Sequence, residues 1–137
     1  YKQLIIGRDC RLLTAGELTP SKGDEIVVAC GDEHRLPLCA YRSKKDLQRS
    51  GVKLTIGKIG GENVLCVITP QDKIQKYTAS SDTWQEDLGG AETAWRDILL
   101  ADLDDDGTDE LYAFPQGDSP TLQRFEAAAG EFVPLAK

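Results

Sequence analysis

Apolar residues along this chain come in short runs broken by polar turns, and the runs fall into a recurring order. Three are apolar nearly throughout: 26–30, 64–68 and 111–114. Each is preceded by a mixed apolar run, at 11–16, 54–59 and 98–101, across a polar loop. Each is followed by a turn and an alternating run with an aromatic residue: Leu38-x-x-Tyr41, Ile74-x-x-Tyr77 and Leu122-x-x-Phe125. A fourth, largely polar segment closes each set, at 45–49, 84–88 and 132–135. Runs this short, bounded by turn residues, predict strands rather than helices. A run apolar at every position predicts a strand buried on both faces, because a half-exposed strand would alternate. Residues 80–93, which overlap the fourth segment of the second unit, hold Gly89-Gly90 and otherwise read as a loop, with room for a short helix over 91–96.

The unit is thus four strands, A to D, laid down three times. Gly16, Gly57 and Ala101 occupy matching positions in strand A, 41 and 44 residues apart. A period near 40–45 residues with four strands per unit is the signature of propeller blades. The fold class expected is all-β, with about three four-stranded antiparallel blades over 11–52, 53–90 and 95–137, and residues 1–8 as a leftover outer strand of a preceding blade. Three blades do not close a ring, since propellers typically have four to eight. The chain is therefore expected to be part of a larger ring, or to complete one with copies of itself. The start at Tyr1 rather than Met suggests a processed or excised piece.

The loop between strands A and B of the third unit carries the chemistry. It reads Asp102-Leu103-Asp104-Asp105-Asp106-Gly107-Thr108-Asp109-Glu110. Carboxylates fall at loop positions 1, 3, 5 and 9, with Gly at 6 and the Thr108 carbonyl available at 7. Alternate residues of a tightly curled loop point inward, so this spacing converges hard oxygen donors, which suit Ca²⁺ better than a transition metal. An EF-hand needs a bidentate Glu at position 12 and flanking helices. Here Ala113 stands at position 12 between strand-type runs. The plain alternative is an acidic surface turn that binds nothing. The first unit places Glu17, Thr19, Ser21, the Gly23 carbonyl and Glu25 at the same positions, with Lys22 in place of the glycine, so at most weak binding is expected there. The second has a shortened loop with Lys58 at the first position and is expected to bind nothing.

The formal net charge of −7 argues against a nucleic-acid backbone or an anionic membrane as partner. No apolar run approaches the roughly 20 residues of a membrane span. The four cysteines, Cys10, Cys30, Cys39 and Cys66, form no CxxC pair, and the single His34 has no ligand cluster around it, which speaks against a zinc site. Cys30 and Cys39 fall on neighbouring strands of one hairpin; a disulfide between them and buried free thiols are both open readings. No nucleophile–base pair can be named from the sequence.

Residues 101–113 resemble the FG-GAP, or integrin-α-like (VCBS-type), repeat, whose usual core is an Asp-x-Asp-x-Asp-Gly-x-x-Asp loop before an apolar strand. Glu110 fills the last position, as related bacterial repeats allow. The resemblance is strong in the third unit, moderate in the first and weak in the second. The Phe-Gly and Gly-Ala-Pro elements that name the family are absent, which marks a divergent member. The resemblance implies a propeller with structural Ca²⁺ bound by Asp102, Asp104, Asp106, the Thr108 carbonyl and Glu110. It implies a non-catalytic module that binds a protein or carbohydrate partner, with an extracellular or cell-surface setting by analogy alone. The alternative is a fragment of a propeller enzyme acting on polysaccharide, with its catalytic residues outside this chain. A carbohydrate role would predict exposed aromatics, such as Trp84, Trp95 or Tyr112, around a pocket; otherwise Trp84 and Trp95 pack between blades.

Overall fold

The structure is a computed structural model that describes residues 10–16, 18, 25–30, 37–40, 45–90, 92–118 and 120–135, with the backbone alone for most of the first four strands. The strands are β1 (Cys10–Gly16), β2 (Glu25–Cys30), β3 (Pro37–Ala40), β4 (Lys45–Ser50), β5 (Lys53–Ile59), β6 (Glu62–Ile68), β7 (Ile74–Thr78), β8 (Thr83–Leu88), β9 (Trp95–Ala101), β10 (Glu110–Pro115), β11 (Gln123–Glu126) and β12 (Glu131–Pro134). They form three four-stranded sheets, each an antiparallel meander in chain order. Among the described residues there is no helix. The all-β class and the four-stranded antiparallel sheets are as expected. The short helix expected over 91–96 is not formed: residues 92–94 are turn and coil, and Trp95 opens β9. The Trp95 N–H donates to the Asp72 carbonyl at 2.8 Å, and the Gln116 N–H to the Ala94 carbonyl at 2.9 Å, so this backbone pairs with other segments. The outer strand expected over residues 1–8, the ligand positions Glu17, Thr19, Ser21 and Gly23, and His34 lie outside the described residues, as does the side chain of Glu25.

The three sheets share one register. Gly16 pairs with Glu25, Gly57 with Val64 and Ala101 with Glu110. One residue further out, Ala15 pairs with Ile26, Ile56 with Leu65 and Leu100 with Leu111. Equal registers give equal pleats, so equivalent residues point to equivalent faces.

The second sheet is covered on both faces, and β6 shows it residue by residue. Leu65 and Val67 join Leu18, Leu47 and Tyr77 in one cluster. Val64, Cys66 and Ile68 join Ile98, Leu100, Leu111 and Ala113 of the third sheet in another. Residues 64–68 are at most 1% exposed, and each aliphatic side chain among them contributes roughly 1.5–3 kcal/mol by leaving water. This two-sided burial is why the run is apolar at every position. The outer strands β8 and β12 keep mostly exposed or half-buried side chains, in line with their polar sequences. Trp95 is buried against Phe132, with ring centroids 4.4 Å apart. Trp84 is half-buried, 5.1 Å from the Tyr77 ring, under the Arg49 guanidinium at 5.5 Å. Tyr112 is buried as well. The tryptophans thus pack within and between sheets. No helix among the described residues is long and apolar enough to cross a membrane.

Cys66 is a free, fully covered thiol. Burial pushes it up to about 12, against the opposing pull of the Lys76 charge. Because the thiolate is the nucleophile, alkylation by iodoacetamide at pH 8 should label Cys66 only after denaturation, as read by peptide mapping. The linkage has a definite sign. Above the ordinary value of 9.0 the unfolded thiol ionises while the folded one stays protonated up to about 12. The unfolded state then holds fewer protons, and this group withdraws about 1.4 kcal/mol of stability per pH unit across that window. In the first sheet, Cys39 stands opposite Val28 and Cys30 opposite Cys10 in the backbone register; Cys30 and Cys39 occupy adjacent strands but are not directly paired.

Candidate metal centre

Residues 102–109 join β9 to β10 in a tight coil, and Glu110 opens β10. Asp105 at φ 59° and Gly107 at φ 88° adopt the left-handed backbone that lets the loop curl. The coil is knitted by its own carboxylates. Asp102 accepts from the N–H groups of Asp106 at 3.1 Å and Gly107 at 2.9 Å. Asp104 accepts from the Asp106 N–H at 3.2 Å, and Asp106 from the Thr108 N–H at 2.9 Å. Glu110 closes the loop by accepting from the Leu103 N–H at 3.3 Å, and the Tyr112 hydroxyl reaches the same oxygen at 3.4 Å.

Four of the five ligands named from the sequence come together. One carboxylate oxygen from each of Asp102, Asp104, Asp106 and Glu110 lies within 4.8 Å of the others. Two oxygens on opposite sides of a Ca²⁺ with bonds of about 2.4 Å are about 4.8 Å apart, so the spacing falls within what the ligands of one ion span. Asp104 and Asp106 are exposed; Asp102 and Glu110 are half-buried at the strand ends. The fifth, Thr108, was named for its carbonyl. Its hydroxyl is committed elsewhere: it accepts from the Gly60 N–H at 2.9 Å and donates to the Lys58 carbonyl at 3.3 Å.

The cluster has an uneven electrostatic field. Partial withdrawal from water acts to raise the Asp102 carboxyl, but the N–H groups of Gly107 and Asp106 outweigh it and hold Asp102 below the usual carboxylate range. At Asp104 withdrawal from water, with the charges of Asp106 and Glu110, prevails over the Asp106 N–H, and the carboxyl sits above its usual value. A divalent cation at the centre would favour the ionised form of every member.

Sequence reasoning missed the anchor. Asp109, unassigned among the ligands, points away from the cluster and accepts from the Lys58 N–H at 2.6 Å, while its own N–H donates to the Lys58 carbonyl at 2.7 Å. With Thr108 it rivets the acidic loop to the β5–β6 turn of the neighbouring sheet, a two-residue Gly60-Gly61 turn with both φ positive. The approach is close enough that a Cβ on Gly57 would run into the Asp109 carboxylate. A glycine inside a strand is the sequence signal for such an approach. Asp109→Ala is expected to cost about 1 kcal/mol, the net value of one such hydrogen bond, as measured by urea unfolding. The exposed Asp118→Ala should stay within about 0.5 kcal/mol of the parent.

Comparison with protein-family models, with curated proteins and with solved structures finds no match to this chain.

Proposed function

We propose that the chain is a calcium-braced segment of a β-propeller that serves as a non-catalytic binding scaffold. The three sheets are read as successive blades. The loop between β9 and β10 holds Ca²⁺ through Asp102, Asp104, Asp106, Glu110 and the Thr108 carbonyl. The carrying observation is the convergence of four carboxylates within 4.8 Å on a loop fastened to the adjacent sheet. Hard, flexible oxygen donors favour Ca²⁺ over Mg²⁺, which demands a near-ideal octahedron and keeps its waters. The ion's role is structural: it neutralises clustered charge and joins the ends of β9 and β10.

For the partner, a protein surface fits better than a sugar. Trp95 and Tyr112 are buried, and the exposed apolar groups on the third sheet are Leu99, Leu103 and Phe114. Isothermal titration calorimetry of the chelator-treated chain tests the ion reading. One Ca²⁺ site that Asp104→Ala removes is expected, with Mg²⁺ binding at least tenfold more weakly. Heat traces that are flat, or unchanged by Asp104→Ala, would refute it.

A further inference from the structure

The third sheet has one face packed and one face open. Ile98, Leu100, Leu111 and Ala113 face the second sheet. The opposite face carries Leu99 and Phe114, 56% and 38% exposed, with Leu103 at its rim, 65% exposed. With Tyr112 and Leu122 they line an apolar groove of about 470 Å³. By register, Leu99, Tyr112 and Phe114 are the counterparts of Thr55, Cys66 and Ile68. In the second sheet those three are buried, Cys66 and Ile68 within the cluster shared with the third sheet. The open face is thus the same face that, one sheet earlier, is covered by a neighbour.

We propose that this face docks the first sheet of a second copy of this chain, continuing the same stacking step head to tail. The first sheet carries the matching counter-face at its register positions. Leu13, Ala15, Ile26 and Val28 stand where Leu54, Ile56, Leu65 and Val67 stand in the second sheet, and where Ile98, Leu100, Leu111 and Ala113 stand in the third. The inner corner sets a size condition that the first sheet of this chain meets. At the first joint Gly16 meets Ile56, and a Cβ on the glycine would lie 2.6 Å from Ile56 Cγ2. At the second, Gly57 meets Leu100, and a Cβ would lie 2.8 Å from Leu100 Cβ. On the open face the counterpart of these glycines is Ala101, which has a methyl in the way. The incoming counterpart of Ile56 and Leu100 is Ala15, which is smaller by three carbons. The pairing is therefore Gly with Ile, Gly with Leu, and Ala with Ala. This joint is heterologous, so repetition closes a ring or runs on as a filament.

The inference rests on the stacking step and not on the ion, so the test is run both in Ca²⁺ and in EDTA. Light scattering after size exclusion at 10–100 µM should find a defined oligomer of the 15.0 kDa chain. Leu99→Glu and Ala15→Glu each block one half of the joint, and each alone should weaken association at least tenfold and give monomers. Mixed together they should form a 1:1 dimer, because each keeps the half the other lacks. Far-UV circular dichroism checks that both variants fold; Leu99→Ser on the open face and Ala15→Asn on the counter-face replace whichever does not. A monomeric parent chain, aggregates without fixed stoichiometry, or variants that fail to combine would each overturn the proposal. Monomers of the parent would leave the open face to a further sheet of a longer chain or to a different protein.

Discussion

Adding Ca²⁺ at one hundred times its dissociation constant to the chelator-treated chain should raise its melting temperature by about 8–11 °C, and Asp104→Ala should abolish that rise. A ligand that binds only the folded state stabilises it by about 2.7 kcal/mol at a concentration one hundred times its dissociation constant. A domain of this size shifts by about 3–4 °C per kcal/mol, which sets the range. Asp104 is the sensitive member. Withdrawal from water, with the charges of Asp106 and Glu110, holds its carboxyl above the usual range, and a cation beside it favours the ionised form. Removing it also takes away a donor from the set of four. Without Ca²⁺, Asp104→Ala should be neutral or mildly stabilising, because one repelling charge is gone. A melting temperature that ignores Ca²⁺, or a variant that keeps the full rise, would leave residues 102–110 as an acidic turn. Glu17→Ala, in the first repeat, should keep most of the shift.

Gly57→Val should cost about 2 kcal/mol and lower the melting temperature by about 6–8 °C, the second large effect expected. Two opposing terms decide it. Replacing a strand glycine with a β-branched residue ordinarily helps by up to about 1 kcal/mol, through lower unfolded-state entropy and better strand propensity. Here the new Cβ would strike the Asp109 carboxylate and lie 2.8 Å from Leu100 Cβ. Either the rivet to Lys58 or the joint between the second and third sheets must open. Steric overlap of this kind costs 1–3 kcal/mol, occasionally more, and it wins. The coupling is separable. Gly57→Ala combined with Asp109→Ala should be less damaging than the sum of the two, since the carboxylate that the methyl meets has been removed. Strict additivity in urea unfolding would mean that Gly57 and Asp109 do not oppose one another.

Much of this was legible in the sequence because burial leaves a mark on composition. The run 64–68 is apolar at every position because its two faces pack into two clusters, and the polar segment 83–88 lies at an outer edge. The acidic loop was legible because its spacing matches the alternation of a curled backbone. The failures have physical causes too. The residues before Trp95 looked helical by local propensity, but Trp95 is fixed against Phe132 and its N–H is taken by Asp72, and tertiary pairing overrides weak local preference. Asp109 could not be told from its neighbours, because a carboxylate in an acidic run carries no label for the direction it faces. Only Gly57, a glycine where a strand should hold a side chain, hinted that the Asp109 carboxylate approached there.

The shared register has a consequence for how such a chain can change over generations. A coding segment of about forty residues can be duplicated or lost in frame, and its product meets its neighbours through the same residue pairs as before. Overall length is then easy to alter by recombination. A single substitution at a seam is harder, because a methyl gained at Gly16 or Gly57 must be answered by carbons lost at Ile56 or Leu100. The two members of each pair should drift together or not at all.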